Sequence, residues 1–197
     1  MGSLSITGGT LRSRHVRVPR GRTVRPTAAR AKEALFSILQ PRLSGARVLD
    51  LFAGTGSLGF EALSRGAAFV TFVEIDRVVA AQLRDTAREL GVAERAEILL
   101  GDVNRATVRL RDHYDLVFAD PPYAQPPPTA AFDALATSGR IDDGSHIVYE
   151  HSARATAPTF ARLILRRTER YGETAFAFYQ KAAQCSSHTA SPAVDWW

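Results

Sequence analysis

Val48-Leu49-Asp50-Leu51-Phe52-Ala53-Gly54-Thr55-Gly56-Ser57-Leu58-Gly59 decides the fold of this 197-residue chain. Val48 to Phe52 reads as a buried strand. Gly54 to Gly59 is a glycine-rich turn that matches G-x-G-x-x-G, and Leu58 to Arg65 reads as a helix stopped by Gly66. Strand, glycine turn and helix in that order open a doubly wound α/β sheet. Downstream the pattern repeats. Phe69–Ile75, Glu97–Leu100, Tyr114–Ala119 and Ser145–Glu150 are predicted strands. Between them, Val78–Leu90, Val103–Leu110 and Ala130–Thr137 are predicted helices. Leu163–Thr168 and Thr174–Lys181, joined through Tyr171-Gly172, read as an antiparallel hairpin. The expected fold is α/β and Rossmann-like. It is a doubly wound, mostly parallel seven-stranded sheet with a C-terminal antiparallel hairpin and a small N-terminal basic extension.

Taken alone, the glycine loop predicts a dinucleotide site. Its surroundings argue for a different nucleoside cofactor. Asp50 lies four residues before the first glycine, where a carboxylate repels a pyrophosphate and suits an ammonium group. Glu74 ends the second strand, placed for two ribose hydroxyls, and Asp102 follows the third, placed to accept from an adenine amine. The loop itself holds no Lys or Arg for a phosphate. Cation, diol and amine together describe S-adenosylmethionine. Each acid taken singly also fits a helix N-cap or a solvated strand end.

The fourth strand runs into Asp120-Pro121-Pro122-Tyr123. A carboxylate and a carbonyl of the Pro-Pro segment can both accept from an exocyclic NH2. Proline supplies no competing N–H and stiffens the loop, and Tyr123 offers a stacking face. The bland alternative is a strand followed by a proline turn. A sulfonium methyl is already electrophilic, so the amine needs only its lone pair aimed and its N–H groups held. A base from structured nucleic acid must be flipped out or already unpaired to reach such a loop.

Composition places these motifs in an ordinary globular chain, 45% apolar and 23% charged. No apolar run approaches the ~20 residues of a membrane span, and the N-terminus lacks a secretory core, so a cytoplasmic protein is expected. The single cysteine, Cys185, forms no internal disulfide, and no zinc-like cluster is present, so no metal is expected. Charge is uneven. Residues 1–40 carry eight Arg/Lys against one acid, and the remainder carries 17 basic and 19 acidic side chains. The basic set is Arg12, Arg14, Arg17, Arg20, Arg22, Arg25, Arg30 and Lys32, suited to RNA phosphate. A solvated tail would carry the same composition. Val16, Val18 and Val24 suggest a hairpin turning at Pro19 to Arg22, and Thr27 reads as the N-cap of a helix that Pro41 ends. Three regions are expected: a basic arm (1–40), a catalytic domain (41–181) and a frayed tail (182–197).

These residues resemble a family. The glycine loop and Asp120-Pro121-Pro122-Tyr123 are similar to those of class I S-adenosylmethionine-dependent amino-methyltransferases. Ile6-Thr7-Gly8-Gly9, Arg25-Pro26-Thr27, Glu33-Ala34-Leu35-Phe36, Phe72-Val73-Glu74 with Asp76, and Glu150-His151 narrow the resemblance. They point to the bacterial enzymes that methylate N2 of a guanine in 16S rRNA, the guanine conventionally numbered 966. The match runs from Ile6 to Lys181, with Ala29 and Thr86 departing from the usual pattern. The resemblance implies cofactor contacts at Thr27, Asp50, Phe52, Ala53, Gly54, Gly56, Glu74, Ile75, Asp102 and Val103. It implies catalysis at Asp120, Pro121, Pro122 and Tyr123, and an arm docked on 16S rRNA in a 30S subunit or its precursor. A monomer is expected. Two other readings share parts of the pattern. A DNA adenine-N6 or cytosine-N4 methyltransferase has the same loop, but usually also a target-recognition region that only about 20 residues after Tyr123 cannot supply. A catalytically silent RNA-binding Rossmann module is the other.

Overall fold

The computed structural model of the chain describes residues 3–17, 26–122 and 125–182, the side chains of 26–28 excepted. The N-terminal region forms a two-stranded antiparallel pair, Ser3–Ser5 (β1) with His15–Arg17 (β2), Leu4 lying opposite Val16. Val16 therefore pairs upstream. The turn expected at Pro19 to Arg22 lies outside the described residues. Helix α1 spans Pro26–Leu39. Pro26 takes the first helical position, where its missing N–H is no loss, so Thr27 sits inside the first turn and is not the N-cap. The helix stops at Leu39, and Pro41 falls in the 3-10 turn Gln40–Arg42.

The remaining elements alternate as the sequence predicts: Arg47–Asp50 (β3), Ser57–Ser64 (α2), Phe69–Glu74 (β4), Arg77–Glu89 (α3), Ala96–Leu100 (β5), Val103–Thr107 (α4), Leu116–Ala119 (β6), Thr129–Thr137 (α5), His146–Ser152 (β7), Leu163–Tyr171 (β8) and Thr174–Lys181 (β9). The seven-stranded sheet has the order β5-β4-β3-β6-β7-β9-β8. Its first five members are parallel, and β9 runs antiparallel to both β7 and β8. The order reverses between β3 and β6, which opens a crevice at their C-terminal ends.

Each face of the sheet carries its own apolar layer. One joins Leu35, Phe36 and Leu39 of α1 to Phe60, Phe72, Phe118 and Phe178. Ile6 and Val16 belong to that same cluster, so the described part of the arm is packed into the body. The other face buries Leu49, Val73 and Val117 under Ala106, Phe132 and Leu135 of α4 and α5. A sheet covered on both sides explains why its central strands are runs of Val, Leu and Phe without alternation.

Candidate active site

The chain leaves β3 between its two neighbours. The Leu51 N–H donates to the Phe118 carbonyl (2.9 Å) and the Ala53 N–H to the Val73 carbonyl (3.0 Å). Gly54 (φ 51°) and Gly56 (φ 77°) then turn the backbone through the left-handed region into α2. Gly59 serves another purpose. A Cβ there would lie 2.2 Å from the Phe72 ring, so glycine lets α2 approach the sheet closely.

Three carboxylates stand at or just beyond the C-terminal ends of β3, β4 and β5. Asp50 is 2% exposed, and its Oδ2 accepts from the Gly59 N–H at 3.1 Å. Burial pushes its carboxyl up to about 7; the Gly59 bond opposes this, and the charges of Asp120 and Glu74 add to it. Glu74 spans the loop, with Oε2 accepting from the Gly54 N–H and Oε1 from the Asp76 N–H, both at 2.8 Å. Asp102 is a helix cap: its Oδ1 accepts from Asn104 and Arg105 at the start of α4. Asp76 caps α3 in the same way. The plain cap role is therefore the one seen at Asp102, and both capping bonds fall on one oxygen.

Apolar surface adjoins these acids. Ile75 is 69% exposed and Val78 66%, beside Glu74, and Leu100 lies opposite Glu74 on β5. Phe52 is half-buried, while Ala53 and Val103 are buried. The group implied by the resemblance fits this set. A buried carboxylate that costs free energy to ionise gains from an ammonium partner, and exposed Ile75 and Val78 offer a face to a flat ring. A pyrophosphate does not fit. Gly54 to Gly59 present no cation, and Asp50 stands in the way.

Strand β6 is buried from Leu116 to Ala119, and Asp120 emerges exposed at its end. Ala119 pairs with Tyr149, so the chain delivers Asp120 beside Glu150 of β7. Pro121 is buried and Pro122 exposed. The Pro122 carbonyl accepts from the Gln125 N–H at 2.9 Å. Tyr123 lies outside the described residues.

The predicted RNA-contacting residues divide. Arg12, Arg14, Arg17 and Arg30 are exposed. Arg17 pairs with Glu89 at 2.5 Å, and Arg14 donates to the Glu89 carbonyl, which ties β2 to α3. Arg20, Arg22 and Arg25 lie outside the described residues, as does the Thr27 side chain. Lys32 is the exception. It is 7% exposed, and its Nζ reaches Glu61 (3.2 Å), the Ser5 carbonyl (3.1 Å) and Ser57 Oγ (3.1 Å). Lys32 therefore faces inward, and the reason is a residue the sequence reading passed over.

Glu61 of α2 is fully buried and accepts from the Thr7 N–H (2.9 Å), Thr7 Oγ1 (2.8 Å), the Gly8 N–H (2.9 Å) and Arg65 Nε (2.8 Å). Burial alone would raise its carboxyl. The Thr7 and Arg65 bonds and the Lys32 charge hold it below the usual range. Gly8 and Gly9 permit this contact. A Cβ on Gly8 would meet the Arg65 guanidinium at 2.4 Å, and one on Gly9 would meet the Ser64 carbonyl at 1.9 Å. One anchor thus joins arm, α1 and glycine loop. Its signal in the sequence is Glu61 and Arg65, four apart and the only charges from Ser57 to Arg65.

Comparison with known proteins follows the same lines. A family model described as conserved hypothetical protein 95 matches residues 4–180. The ribosomal RNA small subunit methyltransferase D of Escherichia coli K12 is 35% identical over 187 residues, 94% of each chain. The protein of that name from Haemophilus influenzae is 41% identical over 129 residues, 62% of this chain and 65% of its own. The solved structure of yhhF from Escherichia coli superposes with a TM-score of 0.81 at 33% identity, covering 93% of this chain and 100% of that one.

Proposed function

From the premise that the chain belongs to the conserved hypothetical protein 95 family, we propose that it is an S-adenosylmethionine-dependent rRNA methyltransferase acting on N2 of a guanine in 16S rRNA. The observation that carries the reading is an exposed Asp120 and a buried Asp50 at the ends of the neighbouring strands β6 and β3, where the strand order reverses. Relatives named for small-subunit rRNA support the substrate class.

Bound in the crevice, S-adenosylmethionine supplies an electrophilic methyl group. Asp50 would hold its ammonium, Glu74 its ribose, and Asp102 with Ile75 its adenine. Thr27, Phe52, Ala53, Gly54, Gly56 and Val103 complete that cradle. Asp120 and the Pro121 carbonyl accept the N–H bonds of the guanine amine, which holds the base and raises electron density on N2. Pro122 stiffens the loop, and Tyr123 stacks on the base. As the amine becomes cationic, the exposed Asp120 stabilises the charge and passes the proton to solvent. Positioning and electrostatics do this work, with no strong base required.

Arg12, Arg14, Arg17, Arg20, Arg22, Arg25 and Arg30 dock the arm on RNA phosphate, and Lys32 serves by holding the arm in place. The working unit is a cytoplasmic monomer acting on a 30S subunit or its precursor. Among the described residues, no helix is long and apolar enough to cross a membrane, and no cluster of side chains could hold a metal ion. Mass spectrometry of 16S rRNA from a strain lacking the protein tests the reading. One guanine should lose its N2-methyl mark and regain it on complementation. An unchanged methylation map contradicts the proposal.

A further inference from the structure

The charge of the body is polarised along the sheet. Residues 41–152 carry 11 Arg/Lys and 16 Asp/Glu, whereas residues 153–182 carry six and two. The second group lies on and around β8 and β9, at one end of the strand order. Glu173 stands near Arg154 (3.8 Å) and Glu169 near Arg167 (3.7 Å). Arg162, Arg166 and Arg170 are exposed, and none forms an ion pair with a described residue. Gln180 orients Arg166 by accepting from its Nε at 3.0 Å. Ile164 and Leu165, between Arg162 and Arg166, are 41% and 44% exposed.

The direction of β8 brings the Arg170 end of this strip to the active-site side of the sheet, and Arg162 lies at its other end, beside Ala182. The strand runs antiparallel to β9, which is itself antiparallel to β7. The C-terminal end of β8 therefore emerges on the same side as Asp120. His151 pairs with Ala175, and Ala175 with Arg170. Three strand spacings separate the Asp120 chain from the Arg170 chain, roughly 15 Å. Across the sheet, β2 of the arm lies against the last residue of α3, where the chain turns back toward the start of β5.

We propose that the edge strand β8, through Arg162, Arg166 and Arg170, is a second docking surface for the phosphate backbone of the RNA substrate. The central, net-acidic part of the sheet repels phosphate, so attraction along the basic edge, with Arg170 at its active-site end, is what brings a polyanion toward Asp120. Guanidinium groups without carboxylate partners are the ones free to release counterions on binding. Arginine on an edge strand also blocks pairing between sheets. That role alone predicts aggregation on removal and no effect on RNA binding.

The inference rests on the RNA substrate proposed above, and the test separates the two. The full-length chain and its R162Q/R166Q/R170Q variant are titrated with 16S rRNA over a range of salt, and transfer is measured at saturating RNA. The log–log salt slope should fall by about 2, since each single-strand phosphate contact contributes ~0.7, while the saturated rate stays unchanged. The charge-matched R88Q/R95Q/R111Q variant, altered on elements other than β8 and β9, should keep the parental slope. R162K/R166K/R170K should nearly restore it, and Arg170→Glu alone should lower it. An unchanged slope in the glutamine variant and in Arg170→Glu overturns the proposal, with or without aggregation. So does an equal fall in the charge-matched control. A parent chain that methylates no rRNA strikes the proposed function instead.

Discussion

Asp50 and Asp120 end neighbouring strands of one sheet and live in opposite surroundings. Asp50 is sealed under the glycine loop, bonded to Gly59 and pushed up to about 7, first by burial. Asp120 stands in solvent beyond a buried strand. The contrast separates two tasks. A buried carboxylate is costly to ionise and therefore rewards a cationic partner, which suits the binding role proposed for Asp50. An exposed carboxylate at a strand end can be reached by a base, which suits the transfer role proposed for Asp120.

Several measurements can break or sharpen that division. The largest effect is expected for Asp120→Ala. Transfer should fall by ~10²–10³-fold, the loss typical of one preorganised polar group, with cofactor affinity within about twofold of the parent. A comparable collapse of affinity would place Asp120 in the cofactor cradle. Asp50→Asn should do the reverse, weakening cofactor binding by about 1.5–3 kcal/mol, the worth of a charge-assisted bond, in a titration with S-adenosylmethionine. Its amide oxygen keeps the Gly59 bond, so the unliganded variant should be no less stable at pH 8. Marked destabilisation there would make Asp50 a structural residue. Gly59→Ala perturbs only the Asp50 side. Overpacking against Phe72 should cost about 1–3 kcal/mol in urea unfolding.

The smallest effect is a pH profile. Asp50 titrates at about 7 when folded and 3.8 ordinarily. Its raised value favours the fold below pH 4, and that contribution is lost as pH rises through about 7. Binding of an ammonium group needs the ionised form. Cofactor affinity should therefore rise somewhat less than tenfold, at ~1.36 kcal/mol per unit of pKa shift, between pH 6 and 7.5, with proton release detectable by calorimetry in two buffers. A flat profile would mean that the ammonium does not meet Asp50.

The sheet was legible because both of its faces are buried. Runs such as Val48–Phe52 and Leu116–Ala119 have no other use, and Gly66 and Gly91 mark where helices stop. The three-residue β1 was not legible. Ser3-Leu4-Ser5 has little strand propensity, and its place is set by the Glu61 anchor 50-odd residues away. Lys32 misled for the same reason: residue type suggests phosphate, but only tertiary contact reveals a buried carboxylate partner. The basic edge was hidden by averaging, since the acids of 41–152 cancel the arginines of 153–182 in any whole-body count. The site's acids were legible as a ladder. Which of them is buried was not, because that depends on Gly59 bringing α2 over Asp50.

That Asp50 and Asp120 divide binding from transfer on an rRNA guanine is tested most directly by one transfer assay. The purified chain should be incubated with 30S particles, and separately with plasmid DNA, in the presence of labelled S-adenosylmethionine, and each digested to nucleosides. Label in N2-methylguanosine from the 30S sample, absent with Asp120→Ala, is the predicted result. Label in methylated adenine or cytosine of DNA, or none in either sample, would contradict it.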